Sequence, residues 1–394
     1  MSPIRSTLAV LAATFFAACG ENVPPPPVEP AAPASPEVVL AASSDGPLRI
    51  ETLVSGLEHP WSLAFLPDGG MLVTERPGRL RRIHPDGGVS APLSGLPRIF
   101  VSGQAGLMDV VLSPDFAADG RVYLSFAEPS LRGNVAGTAV LRARLGESAL
   151  EDTEVIYRQQ PKRSAGTHVG SRLVFDDAGR LFVTQGDNRV AADMAQDLGV
   201  LPGKLVRINA DGSIPADNPF VGRGDARPEI WSYGHRNMQG AALHPRTRQL
   251  WTSEHGPMGG DELNLPVPGG NYGWPLATHG RDYSGGVVPG ALGETAPGTL
   301  PPHHVWAVSP ALSGMAFYDA ALFPQWQGNL FLGALANREL IRLELDGDRV
   351  IGEERLLGEV EGRVRDVRVG PEGALYVLID AASGKLLRVT PAGD

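Results

Sequence analysis

From Leu48 onward, short runs of Leu, Val, Ile and Phe alternate with polar residues, and turns rich in Gly, Asp and Pro separate the runs. A period of two puts alternate side chains on opposite faces of a strand, so two such runs around a Gly/Asp/Pro turn predict an antiparallel hairpin. The pattern recurs in Pro60–Ile83, Gly106–Ala127, Gly170–Asp187, Gln239–Gly256, Ser313–Leu345 and Val364–Pro391. The first, fifth and sixth copies add a third run: GRLRRI, RELIRLEL and GKLLRVT. Repeats of three or four strands, none able to bury its faces alone, predict blades closed into a ring: an all-β, six-bladed β-propeller. An open β-sandwich is the competing architecture. Leu48–Val54 is expected to complete the blade of Val364–Pro391, closing the ring with both ends of the chain. The long intervals Ser130–Val169 and Gly256–Pro310 read as inter-blade loops, where function usually sits on such a scaffold.

The beginning of the chain follows another pattern. Arg5 precedes an apolar run, Leu8–Ala18, which ends in Phe16-Ala17-Ala18-Cys19. A basic residue, a short apolar core and small residues before a cysteine read as a lipoprotein signal over 1–19; a plain secretory signal is the alternative. The run is short for a membrane span. Acylated Cys19 would anchor the exported chain on the periplasmic side, at the inner or outer membrane. Residues 20–45, rich in Pro and Ala and without aromatics, are expected to form a semi-extended tether, with the propeller over 46–394. Cys19 is the only cysteine, which leaves no disulfide or CxxC site. The net charge of −10 argues against nucleic acid and is compatible with a small neutral substrate.

The candidate chemistry lies where the blades begin. Among nine histidines, His168 directly precedes the first strand of the third repeat and can serve as a general base. Gln104 enters the second repeat in the same relative place, Arg236 and Asn237 the fourth, and Arg363 and Arg365 the sixth. The two arginines are one residue apart and can face one side of a strand. If the ring brings these entries together, Arg, Gln and Asn suit an anion with several carboxylates. Gly256 and Pro257, followed by Gly259-Gly260-Asp261-Glu262, suit a hard cation through backbone carbonyls and carboxylates. Adjacent Asp261 and Glu262 would face opposite ways on a strand. No GxGxxG, GxxxxGK[ST] or GxSxG motif indicates a nucleotide fold or an α/β-hydrolase.

The stretches HPWSLAFLPDG, GLMDVVLSPDF, HVGSRLVFDDAGRLFVTQGD, RINADGSIPADNP, YGHRNMQG, SEHGPMGGDELN, GGNYGWP and VRDVRVGPEGALYVL together resemble the glucose/sorbosone dehydrogenase family. Within it they resemble the bacterial aldose sugar dehydrogenase branch, dependent on pyrroloquinoline quinone (PQQ). The resemblance covers nearly all of Ile50–Pro391. It implies a six-bladed propeller with PQQ and Ca²⁺ at its wide mouth, oxidising an aldose to its lactone. It implies His168 as the base taking the anomeric proton and Arg236 as the group polarising the quinone oxygen. Gln104, Asn237, His255, Arg363 and Arg365 would contact PQQ. Carbonyls of Gly256 and Pro257 would hold one Ca²⁺; Glu262 and Tyr272, with Asp261, resemble ligands of a second. Electrons would pass to an unidentified quinone or cytochrome. Two departures stand out from the glucose dehydrogenases proper: Ala336 replaces a cofactor-contacting Lys, followed by Asn337-Arg338, and His255 replaces Gln, as in the aldose branch. A Ca²⁺-dependent hydrolase such as a lactonase, or a binding propeller without catalysis, are the other readings.

Overall fold

The computed structural model describes residues 37–393; the proposed signal and most of the proposed tether lie outside them. Six sheets form the ring. The first blade has three strands, Pro60–Phe65, Met71–Glu75 and Arg79–Ile83. Four strands each make the second (Leu107–Leu112 to Leu150–Arg158), third (Leu173–Phe175 to Ile230–Tyr233), fourth (Met238–Leu243 to His304–Trp306) and fifth (Leu312–Phe317 to Arg349–Leu356). The sixth combines Arg363–Val369, Leu375–Asp380 and Gly384–Pro391 with Leu48–Leu57 and Val38–Ala41. Leu48–Leu57 pairs antiparallel with Gly384–Pro391, so strands from both ends of the chain close the ring in one sheet. The core lies between neighbouring blades: Leu72 and Leu80 of the first, for example, pack with Val110, Val122 and Leu124 of the second.

Two expectations are corrected. The tether does not extend to residue 45: Val38–Ala41 pairs with Leu48–Glu51, and Asp45 accepts a hydrogen bond from Trp326 Nε1 at 3.0 Å. VVLA is a short β-forming run that the surrounding Pro/Ala-rich composition obscured. The intervals taken as long loops carry outer strands, Ala136–Leu145 and Leu150–Arg158 in one, Asp261–Asn264 and His304–Trp306 in the other. Leu150–Arg158 exposes most of its residues and lacks the apolar alternation by which inner strands are recognised.

Each innermost strand packs on that of the next blade, and the sixth on the first. Five of the six are bulged near their mouth end: Pro60/Ser62, Leu107/Val110, Met238/Gly240, Leu312/Met315 and Val364/Asp366. A bulge adds local twist and re-aims a side chain, here at the ring's centre. Buried hydroxyls join the blades. Ser125 Oγ accepts from Asp109 N (2.9 Å) and donates to Ser171 O of the next blade (2.6 Å). Thr184 Oγ1 likewise accepts from Arg172 N (2.8 Å) and donates to Met238 O (3.1 Å).

On the axis, Arg172 of the third blade is fully buried. Its Nη1 lies 3.4 Å from Asp109 Oδ1 of the second blade and 3.0 Å from Asp366 Oδ1 of the sixth. Its Nε donates to Gln239 O of the fourth blade at 2.9 Å. Arg368 bonds Asp366 (2.8 Å), Asp109 (3.0 Å) and Ser62 Oγ of the first blade (3.1 Å). The fifth blade supplies Gly314, where a Cβ would collide with Asp366 Oδ1 and Arg172. Two carboxylates and two guanidiniums thus neutralise each other at the point where all six blades meet.

Removing one charge from this cluster should be far more costly than removing a surface charge. Arg172→Met leaves Asp109 and Asp366 short of a partner and is expected to lose about 3–5 kcal/mol in urea denaturation. Arg248→Ala, which breaks the exposed pair with Asp177, should lose less than about 1 kcal/mol. Equal losses would show that the axial cluster does not clamp the ring.

Candidate active site

The innermost strands begin at one face of the ring, and the entry residues gather there. His168 has positive φ (47°) and a buried side chain. Its backbone N–H donates to Gln104 Oε1 at 2.9 Å, which ties the second and third blades together beside the imidazole. Its Nδ1 lies 2.6 Å from Asp187 Oδ1, and Asp187 Oδ2 accepts from Trp274 Nε1 at 2.8 Å. A carboxylate on Nδ1 sets the tautomer that leaves the Nε2 lone pair free. Burial depresses the His168 pKa; Asp187 opposes this, the positive charge of Arg236 adds to it, and the net direction is down from the ordinary histidine range. That direction favours the neutral imidazole, the form able to accept a proton.

Arg236 is held on several sides. Its backbone N–H donates to buried Glu254 Oε2 (2.6 Å), and its carbonyl accepts from Asp187 N (2.9 Å). Its Nη1 donates to the carbonyls of His255 (3.0 Å) and Gly256 (2.6 Å), and Nη2 lies 3.4 Å from the Tyr283 hydroxyl. The guanidinium carbon stands 5.2 Å from the centre of the Trp274 ring. Trp274 thus contacts Arg236 with its face and the partner of His168 with its N–H. Asn237 Oδ1 accepts from Gly170 N and Gln239 Nε2, both at 3.2 Å. Arg365 reaches Asp380 Oδ2 (3.1 Å) and Gln239 Oε1 (3.2 Å). Exposed Arg363 lies 3.9 Å from the same Asp380 oxygen, so both arginines face one side despite the bulge between them. Arg236 Nε, Asn237 Nδ2 and Arg365 Nε are buried donors without a partner. Unsatisfied donors of this kind, gathered at one mouth, suit an anion rich in acceptor atoms.

The cation candidates divide. Both Asp261 oxygens accept backbone N–H groups, of Gly256 (3.0 Å) and Leu312 (3.1 Å), so this carboxylate holds a loop. The Tyr272 hydroxyl donates to Leu265 O (2.5 Å) and accepts from Val267 N (3.1 Å), while its ring stacks on His235. His255 Nε2 is held by the Leu312 carbonyl, and burial lowers its pKa against the pull of Asp261. Glu262 lines a small pocket with Arg236, Glu254, Tyr272 and Trp274. Burial, then the nearby Glu254 carboxylate, push the Glu262 carboxyl well above the usual range. Among the described residues, no three His, Cys, Asp or Glu side chains form a ready metal cage. Backbone oxygens would have to supply part of any set, and those of His255 and Gly256 already accept from a cationic group. Ala336 lies in an exposed turn with Asn337 and Arg338.

Sequence reasoning missed Asp187, Trp274 and Glu254 as site residues. A signal was present in the repeat. Glu75, Glu254 and Asp380 end the second strands of the first, fourth and sixth blades, and Asp187 follows that of the third. Each carboxylate turns toward the mouth and holds an entry segment: Glu58 N, Arg236 N, Arg365 and His168, respectively.

The family model described as Glucose / Sorbosone dehydrogenase matches residues 57–388. The chain is 52% identical over 347 residues to aldose sugar dehydrogenase YliI of Escherichia coli (strain K12), covering 87% of this chain and 93% of that protein. A crystal structure of a glucose dehydrogenase superposes with TM-score 0.85 at 56% identity, covering 87% of this chain and 99% of that one. The PQQ-bound form of an aldose sugar dehydrogenase from Streptomyces coelicolor superposes with TM-score 0.71 at 28% identity, covering 91% and 99%.

The link between His168 and Asp187 has a measurable sign. Asp187→Asn removes the interaction that raises the imidazole pKa, so the His168 titration followed by NMR should move to lower pH than in the wild type. An unchanged or raised pKa would show that Asp187 does not govern this histidine.

Proposed function

The chain belongs to the glucose/sorbosone dehydrogenase family, and from that premise we propose that it oxidises aldoses at the anomeric carbon with PQQ and Ca²⁺ held at the propeller mouth. It is a sugar-oxidising quinoprotein oxidoreductase; the cation, the residue roles and the proton path are our reading. PQQ, when bound, supplies the quinone that takes the hydride, and Ca²⁺ the Lewis acidity that favours its transfer. The chain's own residues do the rest. His168 Nε2 takes the proton of the anomeric hydroxyl, while Asp187 bears the resulting imidazolium from the other side of the ring. Arg236, braced by Trp274, places positive charge where negative charge develops. Gln104, Asn237, His255, Arg363 and Arg365 would hold the cofactor. The observation that carries this reading is the joining of His168 and Arg236 through Asp187 and Trp274, beside donors with no partner inside the protein.

We assign one Ca²⁺ to the carbonyls of Gly256 and Pro257, and a second to Glu262 with the backbone oxygen of Tyr272. Asp261, whose oxygens hold the backbone N–H groups of Gly256 and Leu312, would serve the second through its remaining lone pairs, as Gly256 O would the first beside its bond from Arg236. Two carboxylates as close as Glu254 and Glu262 favour a cation between or beside them. A Ca²⁺-dependent hydrolase would need free carboxylates at the axis, and Asp109 and Asp366 are consumed by Arg172 and Arg368. Export and acyl anchoring through Cys19 remain a proposal from residues outside the described ones, to be checked by the mass of the mature N-terminus.

Reconstitution tests the activity. Apo-protein given PQQ and Ca²⁺ should reduce a dye with glucose and other aldoses, and His168→Ala should lower turnover by about 10²-fold or more. No sugar-dependent reduction, or equal rates in the variant, would refute the mechanism. Calcium has its own readout. Ca²⁺ should raise the thermal midpoint of the wild type by several degrees, on the order of the binding energy it adds. Glu262→Gln, which relieves the repulsion by Glu254, should raise the calcium-free midpoint and flatten the response. A wild-type midpoint indifferent to Ca²⁺ and chelator would remove Glu262 from the metal set.

A further inference from the structure

Most arginines of this net-acidic chain pair with a carboxylate, and those that do not are unevenly placed. Arg121, which opens the strand Arg121–Pro129, and Arg246, in a turn, are the exceptions, at the end opposite the mouth; the other arginines without a carboxylate among the described residues lie at the mouth end. Four line one arc over the first two blades. Arg76 sits in the turn after Met71–Glu75 and donates to Gly103 O at 2.5 Å. Exposed Arg98 lies over the tip of the Ser130–Val135 turn, where a Cβ on Gly133 would come within 2.9 Å of its Nη2. Exposed Arg132 belongs to that same turn, and exposed Arg163 to the segment leading to His168. Leu131, fully exposed, and Val101, 48% exposed, stand among them. The carboxylates beside this arc are engaged: Glu58 and Glu75 pair with Arg79, and Glu128 is shared by Arg158 and Lys162. The arc abuts the site: Gln104 N donates to Gly166 O at 2.7 Å, two residues from His168.

We infer that this arc is the docking surface for the electron acceptor, a one-electron redox protein that presents an acidic face. The inference rests on the dehydrogenase reading above. Oxidation of an aldose to its lactone releases two electrons and two protons. The protons go to solvent, and two acceptor molecules in succession each take one electron. Unpaired guanidiniums around a small apolar centre match an acidic rim around an exposed redox centre, and such complementarity steers encounter. A membrane surface fits less well. Laid flat on the mouth, an anionic bilayer would meet exposed Glu294, Glu359 and Glu361 on the opposite side of the ring and would close the site to sugar.

Binding tests the surface without relying on turnover. The probe is a c-type cytochrome of acidic isoelectric point, titrated calorimetrically into PQQ-free protein. The wild type should bind it, with affinity falling about tenfold or more between low and physiological ionic strength. Arg98→Glu/Arg132→Glu/Arg163→Glu should weaken binding at least about tenfold. Arg121→Glu/Arg246→Glu, a control for net charge with the mouth intact, should leave it nearly unchanged; circular dichroism confirms that both variants fold. In PQQ-loaded enzyme the triple variant should reduce a small dye at the wild-type rate and the cytochrome more slowly. Equal affinity in wild type and triple variant, an equal loss in the double-variant control, or a preference for a basic cytochrome would each overturn the assignment. So would loss of binding to phosphatidylserine vesicles in the triple variant with cytochrome affinity intact. Failure of dye turnover in the wild type would instead remove the dehydrogenase reading and leave the binding result to stand separately.

Discussion

Three buried charges and the half-buried Arg368 guanidinium on one axis set the terms for the whole ring. Arg172 and Arg368 face Asp109 and Asp366, and the four residues come from the second, third and sixth blades. Buried charge is tolerated only when paired and hydrogen-bonded, so each blade must deliver its group to the same point. Bulges in the innermost strands help to do so, as does Gly314, which leaves room where a side chain would collide. With Cys19 as its only cysteine, the chain has no internal disulfide. Closure therefore rests on sheet pairing at the seam, apolar packing between blades and this neutral polar centre.

Above it the same construction is used for a different end. Carboxylates at the mouth ends of second strands hold entry segments rather than facing solvent. Glu75 and Glu254 bind backbone N–H groups, Asp380 binds arginine side chains, and Asp187 binds an imidazole. A device that orders a loop in one blade orients an imidazole in another, because the residue it meets differs. Trp274 adds a second bond to Asp187 and a face to Arg236, so the His168 imidazole and the Arg236 guanidinium share one support. Groups held from behind in this way need little reorganisation when charge develops between them.

The distribution of charge divides the surface by role. The axis is balanced, the outer strands carry many paired ions, and one arc of the mouth keeps arginines unpaired. Exposed pairs contribute little stability, so the unpaired arginines represent little lost stability. What they change is the field beside the mouth, and that field acts on whatever approaches it.

Much of this was legible in the residues before any fold was available. Period-two runs around Gly/Asp/Pro turns are a local signal, and six of them imply blades because no copy can bury its faces alone. His168, Arg236 and Asn237 stood out because they recur at blade entries, a position that the repeat itself defines. Outer strands such as Leu150–Arg158 and the edge strand Val38–Ala41 were hidden, since a strand that is half solvated or very short carries no apolar alternation. The uses of Asp187, Trp274 and Asp261 were hidden for another reason. A carboxylate reads alike in sequence whether it orients a base, holds a loop or binds a cation. Local pattern thus determined how many blades there are and where they begin. Which side chains meet was decided only by ring closure, because contacts across the axis join residues nearly two hundred positions apart, as with Arg172 and Arg365, and no local periodicity encodes them.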